Sequence, residues 1–284
     1  MRYPGTVRAF SPDQFSPTSH PLGEHGEIWR CEGCATLQQP ALLEDNDLDG
    51  LYREMRDDAY LDQESGRRRS ARRLLELIGK HAGGGRLLDV GCGHGLLLDE
   101  ARGHGYETVG LELAAAAASH GRETYGLDIR EHAVEALDDG ERFDVITLID
   151  VLEHLPDPVA TIERCHELLA PGGLLCVVTP DPASLTARVA GRRWWALVPA
   201  HSYLIPRRTL LGLLVAQGLV VVADVPFTRT FSLEYWVAGF AERSRRLALL
   251  GSRAVRAVCR PVNVSMSLGD ERVLLASRGS REAA

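Results

Sequence analysis

Asp89, Gly91, Gly93 and Gly95 alternate through LLDVGCGHGLLLDEA, residues 87–101, and Glu112 stands 21 residues after Gly91. Glycines at such a bend let backbone approach a ligand with no Cβ in the way. Leu96, Leu97, Leu98 and Ala101 begin a helical pattern, so a helix N-terminus would aim unpaired N–H groups at the same place. An acid about 20 residues further on suits a ribose, because one carboxylate accepts from two hydroxyls. Asp150, Glu153 and His154 form a second group, in FDVITLIDVLEHLPDP, residues 143–158. Their spacing puts all three on one face if the segment is helical. Three readings stand. The acids could satisfy loop amides while the ring packs. His154 could be a general base, since imidazole titrates near neutral pH. All three could hold a divalent metal, although a histidine makes a poor magnesium ligand. A third group is Trp194, Trp195, His201 and Tyr203, in RRWWALVPAHSY. It reads as an apolar wall with a polar tip, His201 being a second candidate base. The alternative is tryptophans in the core and His201 capping the next helix.

These residues need elements to position them. Leu87, Leu88 and Val90 read as a buried parallel strand, and Thr108 to Leu111 as a second, with Glu112 at its tip. Leu127 to Arg130, Val145 to Ile149, Leu174 to Val178 and Leu219 to Val225 continue the series. Asp150 follows the fourth at its carboxyl end. Helical patterns separate the strands, which implies an open α/β sheet with ligands at the carboxyl ends of its strands. Residues 48–80 read as helix, with an arginine run (Arg67, Arg68, Arg69, Arg72, Arg73) that reads as a solvated face. VNVSMSLGDERVLLASR reads as a β-hairpin arm with Gly269 and Asp270 at its turn.

Spacing separates two cofactor types. A dinucleotide fingerprint would put its third glycine where bulky Leu96 stands. D-x-G-x-G-x-G after a strand instead resembles motif I of the class I S-adenosylmethionine (SAM) methyltransferases. LAPGGLLCVVTPD is similar to a later stretch of the same core, and acid-x-x-Glu-His is similar to the ubiquinone-biosynthesis O-methyltransferases. The resemblance implies a seven-stranded, mostly parallel Rossmann-like methyltransferase sheet with helices on both faces, after a small irregular cap, and the C-terminal arm would supply its seventh, antiparallel strand. It implies that Asp89, Gly91, Cys92, Gly93 and Gly95 hold the amino acid end of SAM. Glu112 and Leu113 would hold the ribose, Ala133 and Val134 the adenine, and Asp150 would lie beside the sulfonium. Tyr52 or Tyr60 would fold over the cofactor, and Trp194, Trp195 and Tyr203 would wall the acceptor. The implied activity is methyl transfer to a small molecule, a hydroxyl first, in bacterial secondary metabolism, with S-adenosylhomocysteine as product. A SAM-binding enzyme that does not methylate, such as a cyclase, stays open. So do a lipid-linked acceptor at a membrane surface and a non-catalytic binding module.

Bulk properties fit. The 284 residues suit one sheet domain with appendages, here a cap at 1–47, a core at 48–278 with insertions near 185–205 and 230–262, and a tail at 279–284. A net charge of −7 argues against nucleic acid as partner. No apolar run reaches the length of a membrane span, and the basic segment from Arg243 to Arg256 reads as a lid or oligomer contact, a homodimer included, before a membrane anchor. Lys80 is the single lysine among 32 basic residues, a coding bias pointing to a bacterial genome. The six cysteines suggest no disulfide framework and make the cytoplasm the default. Cys31 and Cys34 form a C-x-x-C, and WRCEGCATLQQP resembles the second knuckle of the zinc ribbon that many bacterial relatives carry. A zinc site would need two more ligands, for which His20 and His25 are the nearby substitutes. The other reading is a metal-free cap that packs Ile28 and Trp29.

Overall fold

Alternation along the strands divides the chain into two cores, one on each face of a central sheet. The computed structural model describes residues 3–7, 10–16, 18, 23–45, 48–57, 59–242 and 262–279. The basic stretch from Arg243 to Arg256, His20, Cys259 and the tail from 280 lie outside the described residues. In chain order the elements are β1 (Trp29–Arg30), β2 (Leu37–Gln38), α1 (Pro40–Asp45), α2 (Leu48–Glu54), α3 (Glu64–Ile78), β3 (Gly85–Val90) and α4 (Leu96–Gly103). Then come β4 (Tyr106–Leu111), α5 (Ala115–Tyr125), β5 (Asp128–Arg130), β6 (Phe143–Ile149), α6 (Pro158–Leu168), β7 (Leu169–Pro180) and α7 (Leu185–Ala190). The chain closes with β8 (Tyr203–Leu204), α8 (Arg207–Ala216), β9 (Leu219–Pro226), β10 (Arg229–Ser232), α9 (Leu233–Glu242), β11 (Asn263–Met266) and β12 (Glu271–Arg278).

The central sheet has seven strands in the order β5-β4-β3-β6-β7-β12-β9. The pairings from β5 to β7 are parallel, and β12 runs antiparallel between β7 and β9. Because side chains alternate across a strand, Val145 packs with Leu98, Leu74 and Ala118, whereas Ile146 packs with Ile162, Cys165 and Leu214. Helices therefore cover both faces, as a parallel sheet requires. Within the described residues, no helix is long and apolar enough to cross a membrane.

The N-terminal segment is stitched to the insertion after β7. β1 and β2 form a hairpin whose second strand pairs with β8. Cys31 and Cys34 lie at that hairpin's turn, and Cys34 Sγ bonds Thr36. Among the described residues they join no group of three metal-type ligands, and His25 Nδ1 contacts its neighbour's carbonyl. Buried Gln39 is the cross-link: Nε2 donates to the carbonyls of Val198 at 2.8 Å and His201 at 2.6 Å. Its Oε1 accepts from Gly26 N–H at 2.6 Å. Phe15, Leu42 and Leu48 pack on Ala200 from the same side.

Two local expectations need correction. The helix over 48–80 is broken: α2 ends at Glu54, a short 3-10 turn follows at Tyr60–Gln63, and only then does α3 start. A straight helix would hold Tyr52 and Tyr60 about 12 Å apart along one face, whereas the break brings both to one cavity. The C-terminal arm is not a hairpin, since β11 pairs with β10, but β12 does supply the antiparallel strand of the central sheet. Burial decided this, because Val273 to Ala276 are all buried and need sheet partners on both edges.

Gly66 tests the packing of α3 on β10. A Cβ there would fall on the Thr230 carbonyl. Alanine should gain about 1 kcal/mol of helix propensity yet lose about 1–3 kcal/mol to overpacking. Gly66→Ala is expected to lower the urea midpoint, and a raised midpoint would contradict this contact.

Candidate functional site

A cavity of about 860 Å³ opens at the carboxyl ends of β3, β4 and β6. Strand order reverses there, since β4 lies on one side of β3 and β6 on the other. The bend after β3 is held against β4: Gly91 and Cys92 N–H donate to the Leu111 carbonyl at 2.7 and 3.0 Å. Gly91 has φ 69°, and a Cβ on it would meet Val151 Cγ2 at 2.5 Å, so this position needs glycine twice over. Glu112 turns toward the bend. Its carboxylate accepts from Gly93 N–H at 2.7 Å and Ala114 N–H at 2.8 Å. Burial raises its proton affinity above the ordinary carboxylate range, and these amides oppose that.

Leu113, Ala133, Val134, Asp150, Tyr60, Trp195, His154 and His201 also border the cavity. Asp89, Cys92, Gly95, Trp194 and Tyr203 do not. Asp89 is buried in the sheet, with Oδ1 2.6 Å from Thr147 Oγ1. That hydroxyl also lies 3.2 Å from the Leu88 carbonyl. Thr147 donates to the Asp89 carboxylate and shares its proton with the Leu88 carbonyl, which opposes the effect of burial on Asp89. Burial prevails and pushes Asp89 up to about 7. Cys92 packs its thiol into the core, Gly95 caps α4 in the left-handed region, and Tyr203 packs at the edge of β8. Trp194 and Trp195 each donate an indole N–H to Asp270 Oδ2 at 2.8 Å, so only one ring is left facing the cavity.

Asp150, Glu153 and His154 do not share a face. Asp150 has φ 54°, an uncommon conformation for a side-chain-bearing residue, and the 3-10 turn starts only at Leu152. Arg229 Nη2 grips both Asp150 oxygens at 2.6 Å, while its Nε reaches Glu271 at 2.8 and 2.9 Å. Glu153 accepts from Thr179 Oγ1 at 2.9 Å, and burial, with Asp150 nearby, lifts it well above the ordinary range. His154 Nδ1 lies 3.0 Å from the Ala200 carbonyl and 2.6 Å from the Tyr52 hydroxyl. His201 Nδ1 lies 2.7 Å from the Ala196 carbonyl. A carbonyl only accepts, so His201 Nδ1 carries the proton and its Nε2 is the basic nitrogen, whereas His154 Nδ1 stands between a carbonyl that accepts and a hydroxyl that can donate. The two rings meet edge to face, centroids 4.7 Å apart. Glu153, His154 and His201 offer atoms within 4.8 Å of one another, so a metal trio here would take His201 in place of Asp150. Two imidazoles and a carboxylate suit a transition ion better than magnesium.

Residues 63–224 match the family model described as a methyltransferase domain. The chain belongs to that family. It is 40% identical over 117 residues to a ubiquinone biosynthesis O-methyltransferase of Cereibacter sphaeroides, covering 38% of this chain and 47% of that one. The chain thus spans about half the length of the curated relatives it matches first. Among solved structures, the N-methyltransferase NodS of Bradyrhizobium japonicum with S-adenosylhomocysteine superposes with TM-score 0.51 at 18% identity, over 81% of this chain and 96% of that one. The [4+2]-cyclase SpnF does so with TM-score 0.51 at 20% identity, over 73% and 80%. Such likenesses show the class I methyltransferase fold alone, which carries more than one chemistry.

Tyr52, which the resemblance offered beside Tyr60, borders the cavity, and so do Asp57, Arg67, His120, Arg229 and Asp270, which sequence patterns did not single out as site residues. Arg67 hid in an arginine run that reads as a solvated face, and its guanidinium instead lies 3.7 Å over the Tyr60 ring. Arg229 carries no motif at all; contact across the fold alone makes it a partner of Asp150.

The raised proton affinity of Asp89 has a pH signature. Its folded-state proton affinity is raised from 3.8 to about 7. The stability this lends is complete at low pH and is lost as pH rises toward that value. Asp89→Asn should therefore flatten part of the fall in melting temperature of the ligand-free protein between about pH 4 and pH 7. Equal slopes for variant and wild type would mean that Asp89 is ionised throughout.

Proposed function

We propose that the chain transfers the methyl group of SAM to a small-molecule acceptor, with a hydroxyl the preferred nucleophile. The observation that carries this reading is the Glu112 carboxylate turned onto Gly93 N–H across the bend at the sheet's switch point. A ribose seated there would exchange hydroxyl donors for the amide Glu112 now accepts. Leu113, Ala133 and Val134 would enclose the adenine, and Gly91 and Gly93 would border the amino acid end. Bound SAM supplies an electrophilic methyl on sulfur, so the protein's task is alignment, exclusion of water and proton removal. The cavity is large for one ligand, since such pockets span about 300–1,000 Å³, and it leaves room for cofactor and acceptor together.

Beyond Asp150 the walls are Trp195, Phe231, Tyr235, Trp236, Met266 and Leu268. They suit a largely apolar acceptor. In the transfer the acceptor oxygen bonds the methyl carbon, the carbon–sulfur bond breaks, and the hydroxyl proton passes to His154 or His201 Nε2. His201 Nε2 is in the basic tautomer, and the carboxylates of the Asp150–Arg229–Glu271 cluster would set opposite charge beside a sulfonium seated there. The curated relatives' printed activity, O-methylation in ubiquinone biosynthesis, supports an oxygen nucleophile. A bacterial secondary-metabolism acceptor fits the same walls.

Methyl-labelled SAM incubated with hydroxylated aromatic acceptors should yield labelled product. His154→Ala or His201→Ala should cut turnover about 100-fold or more, the scale of a lost general base, while calorimetric affinity for the cofactor changes little. Glu112→Ala should abolish that affinity. Survival of turnover in both histidine variants would leave positioning as the sole source of rate, and unlabelled product would point to non-methylating chemistry.

A further inference from the structure

One carboxylate oxygen accepts from two adjacent indoles. Asp270 Oδ2 lies 2.8 Å from Trp194 Nε1 and 2.8 Å from Trp195 Nε1. An indole offers a single N–H and accepts nothing, so a tryptophan withdrawn from water takes its direction from the acceptor it finds. The two rings face different surroundings. Trp194 is buried with Tyr3, Ile28 and Ala187, where the N-terminal segment meets α7. Trp195 borders the cavity. The rings meet edge to face, with centroids 6.2 Å apart. The Trp194 bond thus anchors Asp270 to a core, and the Trp195 bond passes that anchorage to a ring in the cavity wall.

Asp270 sits in the turn between β11 and β12, and this turn is itself fixed. Asp270 is 2% exposed. Its carbonyl accepts Asp181 N–H at 2.7 Å, just past the end of β7. The Leu268 carbonyl accepts from Thr186 Oγ1 on α7. Glu271, the next residue, takes Arg229 instead, and Arg229 grips Asp150. Two consecutive acids therefore hold two parts of the cavity: Trp195 directly, and the end of β6 through Arg229. The relation between the aromatic wall and that strand end runs through one peptide unit. Such a relation matters for transfer, because misplacing the reacting atoms by about 1 Å costs about 100-fold in rate.

We propose that Asp270 is a specificity-determining residue that positions the acceptor: by holding the Trp195 indole, it fixes the wall against which a flat aromatic alcohol lies. It acts through Trp195 and touches neither reacting atom. The proposal rests on the SAM reading of the cavity and adds to it the residue that sets the acceptor's place.

Two probes read the wall and the cofactor end separately. Calorimetry on the full chain measures S-adenosylhomocysteine first, and then 2-naphthol added to the chain saturated with it. Asp270→Ala leaves the Trp195 N–H without its acceptor and should weaken 2-naphthol about tenfold or more, the scale of a lost hydrogen bond to a charged group. S-adenosylhomocysteine should stay within about twofold, which also reports that the variant folds. Asp270→Asn keeps an oxygen for both indoles and should hold 2-naphthol within about threefold of wild type. Trp195→Phe keeps a ring and loses the N–H, so it should also weaken 2-naphthol, and adding Asp270→Ala to it should cost little more, because the two changes remove one interaction. Unchanged 2-naphthol affinity in Asp270→Ala overturns the proposal. So does equal loss of both probes, or failure of Asp270→Asn to rescue. A wild-type chain that binds S-adenosylhomocysteine but not 2-naphthol overturns the aromatic wall and the proposal with it. One that does not bind S-adenosylhomocysteine overturns the cofactor reading as well.

Discussion

One buried carboxylate ties together the parts of this site. Glu112 ends β4, accepts the Gly93 amide from the bend after β3, and accepts the Ala114 amide that opens α5. Without that group two amides at the strand tips would face a cavity unpaired, and the bend would lose its attachment to the neighbouring strand. The Leu111 carbonyl completes the arrangement by taking the Gly91 and Cys92 amides. Binding chemistry and local folding are therefore the same hydrogen bonds, made to backbone in the empty site and shared with hydroxyl groups in a filled one.

The other half of the cavity is organised by charge and by the N-terminal segment. Arg229 bridges Asp150 and Glu271 and so fixes a strained residue at the end of β6. Buried ion pairs of this kind are weak sources of stability, because desolvation offsets much of the attraction. Their effect here is geometric: they hold β10, β12 and the end of β6 in one relation around the cavity. The N-terminal segment acts similarly on the histidines. Gln39 holds the Val198–His201 backbone, and Tyr52 touches His154 directly. The cap is thus packed against the segment carrying His201, and α2 reaches His154.

The failures of local reading share a cause. A spacing of i, i+3, i+4 implies one face only if the backbone is helical, and Asp150 at positive φ is not. The arginine run reads as solvent-facing because charge usually is, yet Arg67 turns its guanidinium onto Tyr60. The motif acid Asp89 looks like a ligand contact, but a strand residue one position inside the bend points into the sheet, and Thr147 waits for it there. In each case the residue type was visible and its direction was not.

What the sequence determined by itself was periodic or local. Apolar runs, glycine turns and the spacing from Gly91 to Glu112 were enough to imply an open α/β sheet, because hydrogen bonding and burial act over a few residues within each element, and the motifs' resemblance to the methyltransferase family implied its seven strands. What only the tertiary structure decided was the meeting of distant groups: Arg229 with Asp150, Tyr52 with His154, Gln39 with the His201 loop, and β12 with β9 instead of β11. Those contacts join segments tens to hundreds of residues apart. They depend on how twisted sheets and helices pack against one another, which no window of neighbouring residues records.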